Sequence, residues 1–223
     1  SLLWEGCSPV FCDISKETFC IDANKIEQLI TPKTSAILAT HVYGIPCDVD
    51  AIEKIASKHN LKVIYDAAHA FGVEYNNKNI FEYGDVSSCS FHATKLFHTI
   101  EGGSVSAKDP EILKLMTLYH SFGHIGDDYY TQGINGKNCE FHAAMGLCNL
   151  PKLDELIAAR KNHSEYYISL LSSAIISRPS IPDSTSYNYA YFPVVFKDEV
   201  TLLKAKEILF KNGMLFFYTL INL

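Results

Sequence analysis

Short apolar runs alternate with segments of helical periodicity along this chain, and that alternation confines it to a sheet wrapped by helices. Pro9–Ile14, Ser35–Thr40, Leu61–Tyr65 and Val86–Phe91 read as strands, and Gly102–Ser106 as a further, antiparallel one. Asp22 can cap a helix whose apolar Ile26, Leu29 and Ile30 fall at helical spacing. Asp48 can cap a second, running through Ile52, Ile55 and Ala56 to His59. Pro110–His120 and Glu140–Leu171 are predicted helices, the latter bent near Pro151. Around Arg178–Ser186 the composition shifts to Pro, Ser and Asp, which marks a linker. A strand at Tyr187–Phe196 and a helix at Glu199–Asn212, stopped by Gly213, follow it. The expected organisation is an α/β large domain over residues 1–178 and the start of a smaller one over 179–223.

Hydrophobic residues make up 48% of the 223, enough for a real core, which excludes a disordered or collagenous chain. The net charge of −6 lacks the basic footprint that nucleic acid or an anionic membrane surface asks for. No run approaches the ~18 apolar residues of a membrane span, and Ser1–Gly6 does not read as a signal peptide. The seven cysteines are scattered and never spaced CxxC, so reduced thiols and a cytoplasmic location are expected. Gly123-His124-Ile125-Gly126 reads as a flexible loop.

In open α/β sheets, ligands bind beyond the carboxyl ends of the strands. Two such ends here carry polar residues out of place in a core. Asp66-Ala67-Ala68-His69 follows the buried Leu61–Tyr65 run, and Ser90-Phe91-His92-Ala93-Thr94-Lys95 follows the next strand. A carboxylate, an imidazole, a hydroxyl and a lysine thus converge on one edge. Cys89 precedes Ser90 in the strand and points the opposite way, as a packing residue.

These two segments, with Glu101-Gly102-Gly103, resemble the DegT/DnrJ/StrS family of pyridoxal-phosphate-dependent sugar aminotransferases. The resemblance also takes in Pro9–Asp13, His41-Val42-Tyr43-Gly44, Gly133–Lys137 and Glu140–Ala144, in the family's order. It implies the fold type I architecture of aspartate aminotransferase, a three-layer, mostly parallel sheet flanked by helices. It assigns Lys95 as the residue that bonds the cofactor and then shuttles a proton. Asp66 would pair with the pyridinium nitrogen, an interaction worth roughly 5 kcal/mol before desolvation at ~3 Å and an effective dielectric of ~20. His69 would lie near the ring or its 3′-oxygen. Ser90 would donate to the phosphate, and Asn135 would reach the phosphate of a neighbouring subunit, with Lys137 nearby. That makes the active site one shared across a homodimer. The substrates implied are glutamate and a nucleotide-linked keto-deoxysugar, and FHATKLFHTIEGG looks like members that build 4-amino-4,6-dideoxyglucose on dTDP, or close 3-amino relatives. Polysaccharide or O-antigen synthesis is the setting such sugars serve.

The family's Gly-Thr phosphate loop and ring-stacking aromatic are expected upstream of residue 1, so the chain reads as a piece truncated at both ends. Phe216-Phe217-Tyr218-Thr219 stands where relatives carry a basic, Pro-containing segment. Two other functions compete. A metal-dependent hydrolase would use His41, Asp66, His69 and His92 as ligands, but no compact ligand motif is present and Lys95 would have no task. A non-catalytic relative is the other, and the intact Asp66, Ser90 and Lys95 argue against it.

Overall fold

The computed structural model describes residues 2–171 and 176–215. In chain order the elements are α1 (Ala23–Ile26), β1 (Ala36–Thr40), α2 (Val49–His59), β2 (Lys62–Asp66), β3 (Glu74–Tyr75), β4 (Lys78–Asn79), β5 (Val86–Ser90) and β6 (Gly103–Ala107). There follow α3 (Pro110–His120), β7 (His124–Ile125), β8 (Asp128–Tyr129), α4 (Glu140–Asn149), α5 (Leu153–Leu170), β9 (Ile176–Ser177), β10 (Thr185–Ser186), β11 (Val195–Phe196) and α6 (Glu199–Lys211). The central sheet has the order β1-β2-β5-β6, with β1, β2 and β5 parallel and β6 antiparallel to β5. This is the mostly parallel α/β arrangement that the alternation of runs and helices predicts.

Residues alternate between faces along each strand. Ile37, Ala39, Val63 and Tyr65 are buried against Ala23 and Ile26 of α1 and Val49, Ile52 and Ala56 of α2. Each such aliphatic burial is worth about 1.5–3 kcal/mol. Asp66, Ser88 and Ser90 stand on the other, half-buried face, with Asp66 in register with Ser88.

The caps follow the sequence. The Asp48 carboxylate accepts from the Ala51 N–H at 3.0 Å and starts α2. Asn60, in the left-handed conformation at φ 52°, ends it and turns the chain into β2. Asp109 with Pro110 opens α3, and Asp198 opens α6 through the Thr201 N–H. The predicted bend near Pro151 is a single 3₁₀ turn, Leu150–Lys152, between α4 and α5.

Four expectations need correction. Pro9–Ile14 is not a strand. Phe11 and Val10 face solvent, Pro9 offers no N–H, and the only ladder contact is an isolated bridge from Ile14 to Ile21. The span Tyr187–Phe196 is extended only at β11, which pairs with β9. Positive φ at Tyr189 interrupts it, and the Tyr187 and Asn188 side chains bond to the first part of the chain. The predicted linker is likewise not free, because its β10 joins β3 antiparallel in a small sheet with β4. Gly123–Gly126 forms part of a hairpin, β7 paired with β8, rather than a flexible loop. Gly123, at φ +76°, sits so close to the Thr131 carbonyl that no side chain could be placed there. The segment Phe216–Thr219 lies outside the described residues.

Candidate active site

Asp66 ends β2, where main-chain bonds hold the strand tip on both sides. The His41 N–H donates to the Asp66 carbonyl at 2.9 Å, and the Ala67 N–H to the Ser88 carbonyl at 2.8 Å. One carboxylate oxygen accepts from the Ala68 N–H at 3.0 Å, and the other has no partner among the described residues. The chain then makes a turn and presents His69.

Ser90 ends β5, opposite Gly103 of β6, and its hydroxyl oxygen accepts from the His92 N–H at 3.3 Å. The turn beyond it carries Lys95, whose own N–H donates to the His92 carbonyl at 2.9 Å. The His92 ring and the Thr94 hydroxyl lie 2.8 Å apart within the same turn. Three phenylalanines bolt this turn to the His69 loop. Phe71 stacks on Phe97 at 4.4 Å, and Phe91 meets both rings edge-on at 5.6 and 5.2 Å. Lys95 is half-buried and has no ion-pair partner among the described residues.

Electrostatics shows how near these groups come. Burial lowers the His69 basicity, the Lys95 charge lowers it further, and the Asp66 charge opposes both. Cys89 feels the same two charges. Burial pushes its thiol up to about 12, which fits a packing residue and leaves no thiolate nucleophile. The His69 Nδ1 accepts the Tyr43 N–H at 3.2 Å, so the ring proton of the neutral imidazole sits on Nε2. The structure therefore gathers Asp66, His69, Ser90 and Lys95 at one strand-end edge, each with an unused hydrogen-bonding or charge capacity.

Asn135 is not part of that group. Its main chain bridges Ser121 on an exposed loop after α3, and Lys137 lies over the Phe122 ring at 4.8 Å. The four proposed metal ligands also fail to act together. The His41 ring is buried, takes the Cys47 N–H on Nδ1 at 3.0 Å and stacks on Tyr65 at 4.6 Å. No group of three His, Cys, Asp or Glu side chains suited to a metal forms among the described residues.

Pyridoxal phosphate fits the donor set that is present. A free carboxylate oxygen suits a ring cation, a serine hydroxyl suits a phosphate, and a lysine amine suits an aldehyde. Sequence reasoning missed the residues that support His69 from the far end of the chain. Tyr187 donates its hydroxyl to the Tyr43 carbonyl at 2.8 Å, and Asn188 donates to the His69 and Phe71 carbonyls, both at 2.9 Å. The only signal was the Tyr187-Asn188-Tyr189-Ala190-Tyr191 run, an aromatic-rich stretch with an amide inside it.

Comparison with known proteins identifies the family. The family model of DegT/DnrJ/EryC1/StrS aminotransferases matches residues 1–216. A dTDP-4-amino-4,6-dideoxy-D-glucose transaminase of Shigella dysenteriae is 40% identical over 204 residues, 91% of this chain and 56% of the relative. The structure of DesI with its TDP-sugar product superposes with a TM-score of 0.85 at 31% identity, over 96% of this chain and 56% of that one. Spr1654 of Streptococcus pneumoniae, solved in its PLP form, superposes with a TM-score of 0.88 at 26% identity, over 95% of this chain and 61% of that one. The chain thus spans little more than half the length of these proteins. With a family model covering nearly all of its residues and a relative 40% identical over 91% of its length, the chain belongs to the DegT/DnrJ/EryC1/StrS aminotransferase family.

Proposed function

We propose that the protein containing this chain moves an amino group from glutamate to a nucleotide-linked keto-deoxysugar, dTDP-4-keto-6-deoxyglucose, with pyridoxal phosphate as its cofactor. The observation that carries this reading is the gathering of Asp66, His69, Ser90 and Lys95 on one edge of a sheet in a member of this family. The similarity to a dTDP-4-amino-4,6-dideoxy-D-glucose transaminase and to DesI with a TDP-sugar supports the choice of sugar and nucleotide. We place the reaction in the cytoplasm, on the way to polysaccharide such as O-antigen. No helix among the described residues is long and apolar enough to cross a membrane.

When bound, the cofactor supplies an electron sink for the pair left on the substrate carbon. The chain's own residues do the rest. The Lys95 amine would hold the cofactor covalently until the donor's amine takes its place on that carbon, and the freed Nζ would then carry a proton between the two carbons that exchange it. Asp66, with one oxygen spent on the Ala68 N–H, offers the other as the negative charge that keeps the ring nitrogen protonated. His69, its Nδ1 already occupied, can act only as a neutral donor through Nε2 and suits the 3′-oxygen. The Ser90 hydroxyl donates to the phosphate.

The same reading makes the protein a homodimer in which Asn135 serves the partner's phosphate. Exposed Tyr129, Tyr130, Ile134 and Phe141 surround Asn135 in sequence and supply apolar surface for a second copy. It also keeps residues 1–178 as the large domain and 179–223 as the start of the small one. The test is to incubate the full-length protein with pyridoxal phosphate, glutamate and dTDP-4-keto-6-deoxyglucose, and to follow the product by mass and NMR. A dTDP-4-amino-4,6-dideoxyhexose is expected. Its absence, with no amination of related 3-keto sugars, overturns the reading.

A further inference from the structure

We infer that Tyr187, Asn188 and Tyr191, which lie beyond the first 178 residues, are positioning residues that fix the tautomer and the ring placement of His69. Five observations meet at this point. Tyr43 is held in the left-handed conformation, φ 57° and ψ 16°, which a non-glycine residue adopts only when its surroundings enforce it. The local turn is closed by the Ile45 N–H on the Val42 carbonyl at 2.9 Å, and the Tyr187 hydroxyl pins it by donating to the Tyr43 carbonyl at 2.8 Å, across 144 residues of sequence. In that conformation the Tyr43 N–H points at the His69 Nδ1 at 3.2 Å. Asn188, with no exposure at all, spends its whole amide here. Both N–H donors go to the His69 and Phe71 carbonyls, and its oxygen accepts from the Ala190 N–H at 3.0 Å. Finally the Tyr191 ring leans on the imidazole at 4.6 Å, and the Tyr43 ring lies nearly parallel to it at 6.2 Å.

The three side chains therefore act on different degrees of freedom. Tyr187 sets which ring nitrogen receives a donor, Asn188 sets where the His69 backbone sits, and Tyr191 sets the tilt of the ring. Free histidine in water exchanges between its two neutral tautomers. Here an N–H aimed at Nδ1 leaves Nε2 as the one donor, and that donor is the atom the proposed cofactor site uses. The Arg160 guanidinium anchors the segment from outside by donating to the Ala190 carbonyl at 3.0 Å. The consequence is a coupling. The segment that opens the small domain and the imidazole at the cofactor edge cannot move independently.

The functional meaning of this device rests on the proposed function, but its test does not. Full-length protein with histidine labelled by ¹⁵N in the ring, stripped of cofactor, is examined by long-range proton–nitrogen correlation. The His69 signal is assigned by its loss in His69→Gln. The wild type is expected to show a single neutral tautomer with the proton on Nε2. In Tyr187→Phe and in Asn188→Asp the two nitrogen signals should move toward the average of the two tautomers. Leu118→Ala, a change at a buried position on α3 away from the clamp, should lower the melting temperature without moving them. A wild type with the proton on Nδ1, or with averaged nitrogens, overturns the inference whether or not any variant folds. So does a wild-type pattern retained in both clamp variants. Cofactor binding is titrated separately on the same samples, so failure of the proposed function is distinguishable from failure of this device.

Discussion

His41 makes the fold acid-sensitive by an amount that can be worked out from its surroundings. The ring has no exposed surface, its Nδ1 takes the Cys47 N–H, and its Nε2 has no hydrogen-bond partner among the described residues. A second proton would be a buried charge with nothing to pair it, and burial accordingly lowers its pKa from 6.5 to about 3. The unfolded chain keeps the ordinary value, so as the pH falls below about 6.5 the unfolded state takes up the proton first. The His41 contribution is thus fully present above that point and declines as the pH drops toward 3. At about pH 5 the loss comes to about 2 kcal/mol, near 1.36 kcal/mol for each unit below the unfolded value. That is a large share of a typical margin of 5–15 kcal/mol. The assay is urea unfolding of the full-length protein, wild type and His41→Asn, at about pH 7.5 and about pH 5. His41→Asn keeps a side-chain acceptor for the Cys47 N–H but cannot ionise. It starts less stable at the higher pH, yet should lose about 2 kcal/mol less than the wild type on acidification. Equal losses in the two proteins, or a His41 NMR signal that titrates near 6.5, would refute the reasoning.

Gly44→Ala should destabilise the protein by more than the about 1–2 kcal/mol of a left-handed backbone alone, because a Cβ at φ +83° would lie 2.7 Å from the His69 carbonyl. The melting temperature reads that loss, and an unchanged value contradicts the packing described. Asp66→Asn should weaken pyridoxal phosphate binding roughly 10–100-fold, matching the about 1.5–3 kcal/mol of a hydrogen bond to a charged group. Fluorescence titration measures it, and unaltered affinity removes Asp66 from the ring nitrogen. The proposed homodimer predicts that Phe141→Asp, at an exposed apolar position on α4, is monomeric in sedimentation velocity where the wild type is dimeric. An unaffected dimer puts the interface elsewhere.

What the sequence made legible was local. Helix starts at Asp22 and Asp48 need only a carboxylate and the next few N–H groups, and both act as caps here. Asp66 and Lys95 were placed because one ends a strand and the other lies in the turn beyond the next, and a strand end fixes the edge on which its next residues emerge. The failures have one physical source. Tyr187–Tyr191 has the aromatic composition of a strand, but its backbone is claimed by partners 117–144 residues earlier, which no window along the chain can detect. Pro9–Ile14 has the pattern of a strand and no neighbouring strand to pair with along its length. The tautomer of His69 was equally hidden, since it depends on a Tyr43 backbone conformation set from the far end of the chain.

The most direct test of the proposed chemistry is the visible spectrum of the full-length protein with pyridoxal phosphate, recorded before and after borohydride and followed by peptide mapping. The account predicts a visible band that disappears on reduction, with the pyridoxyl mass on Lys95 alone. No band, or a label scattered over exposed lysines, would contradict it.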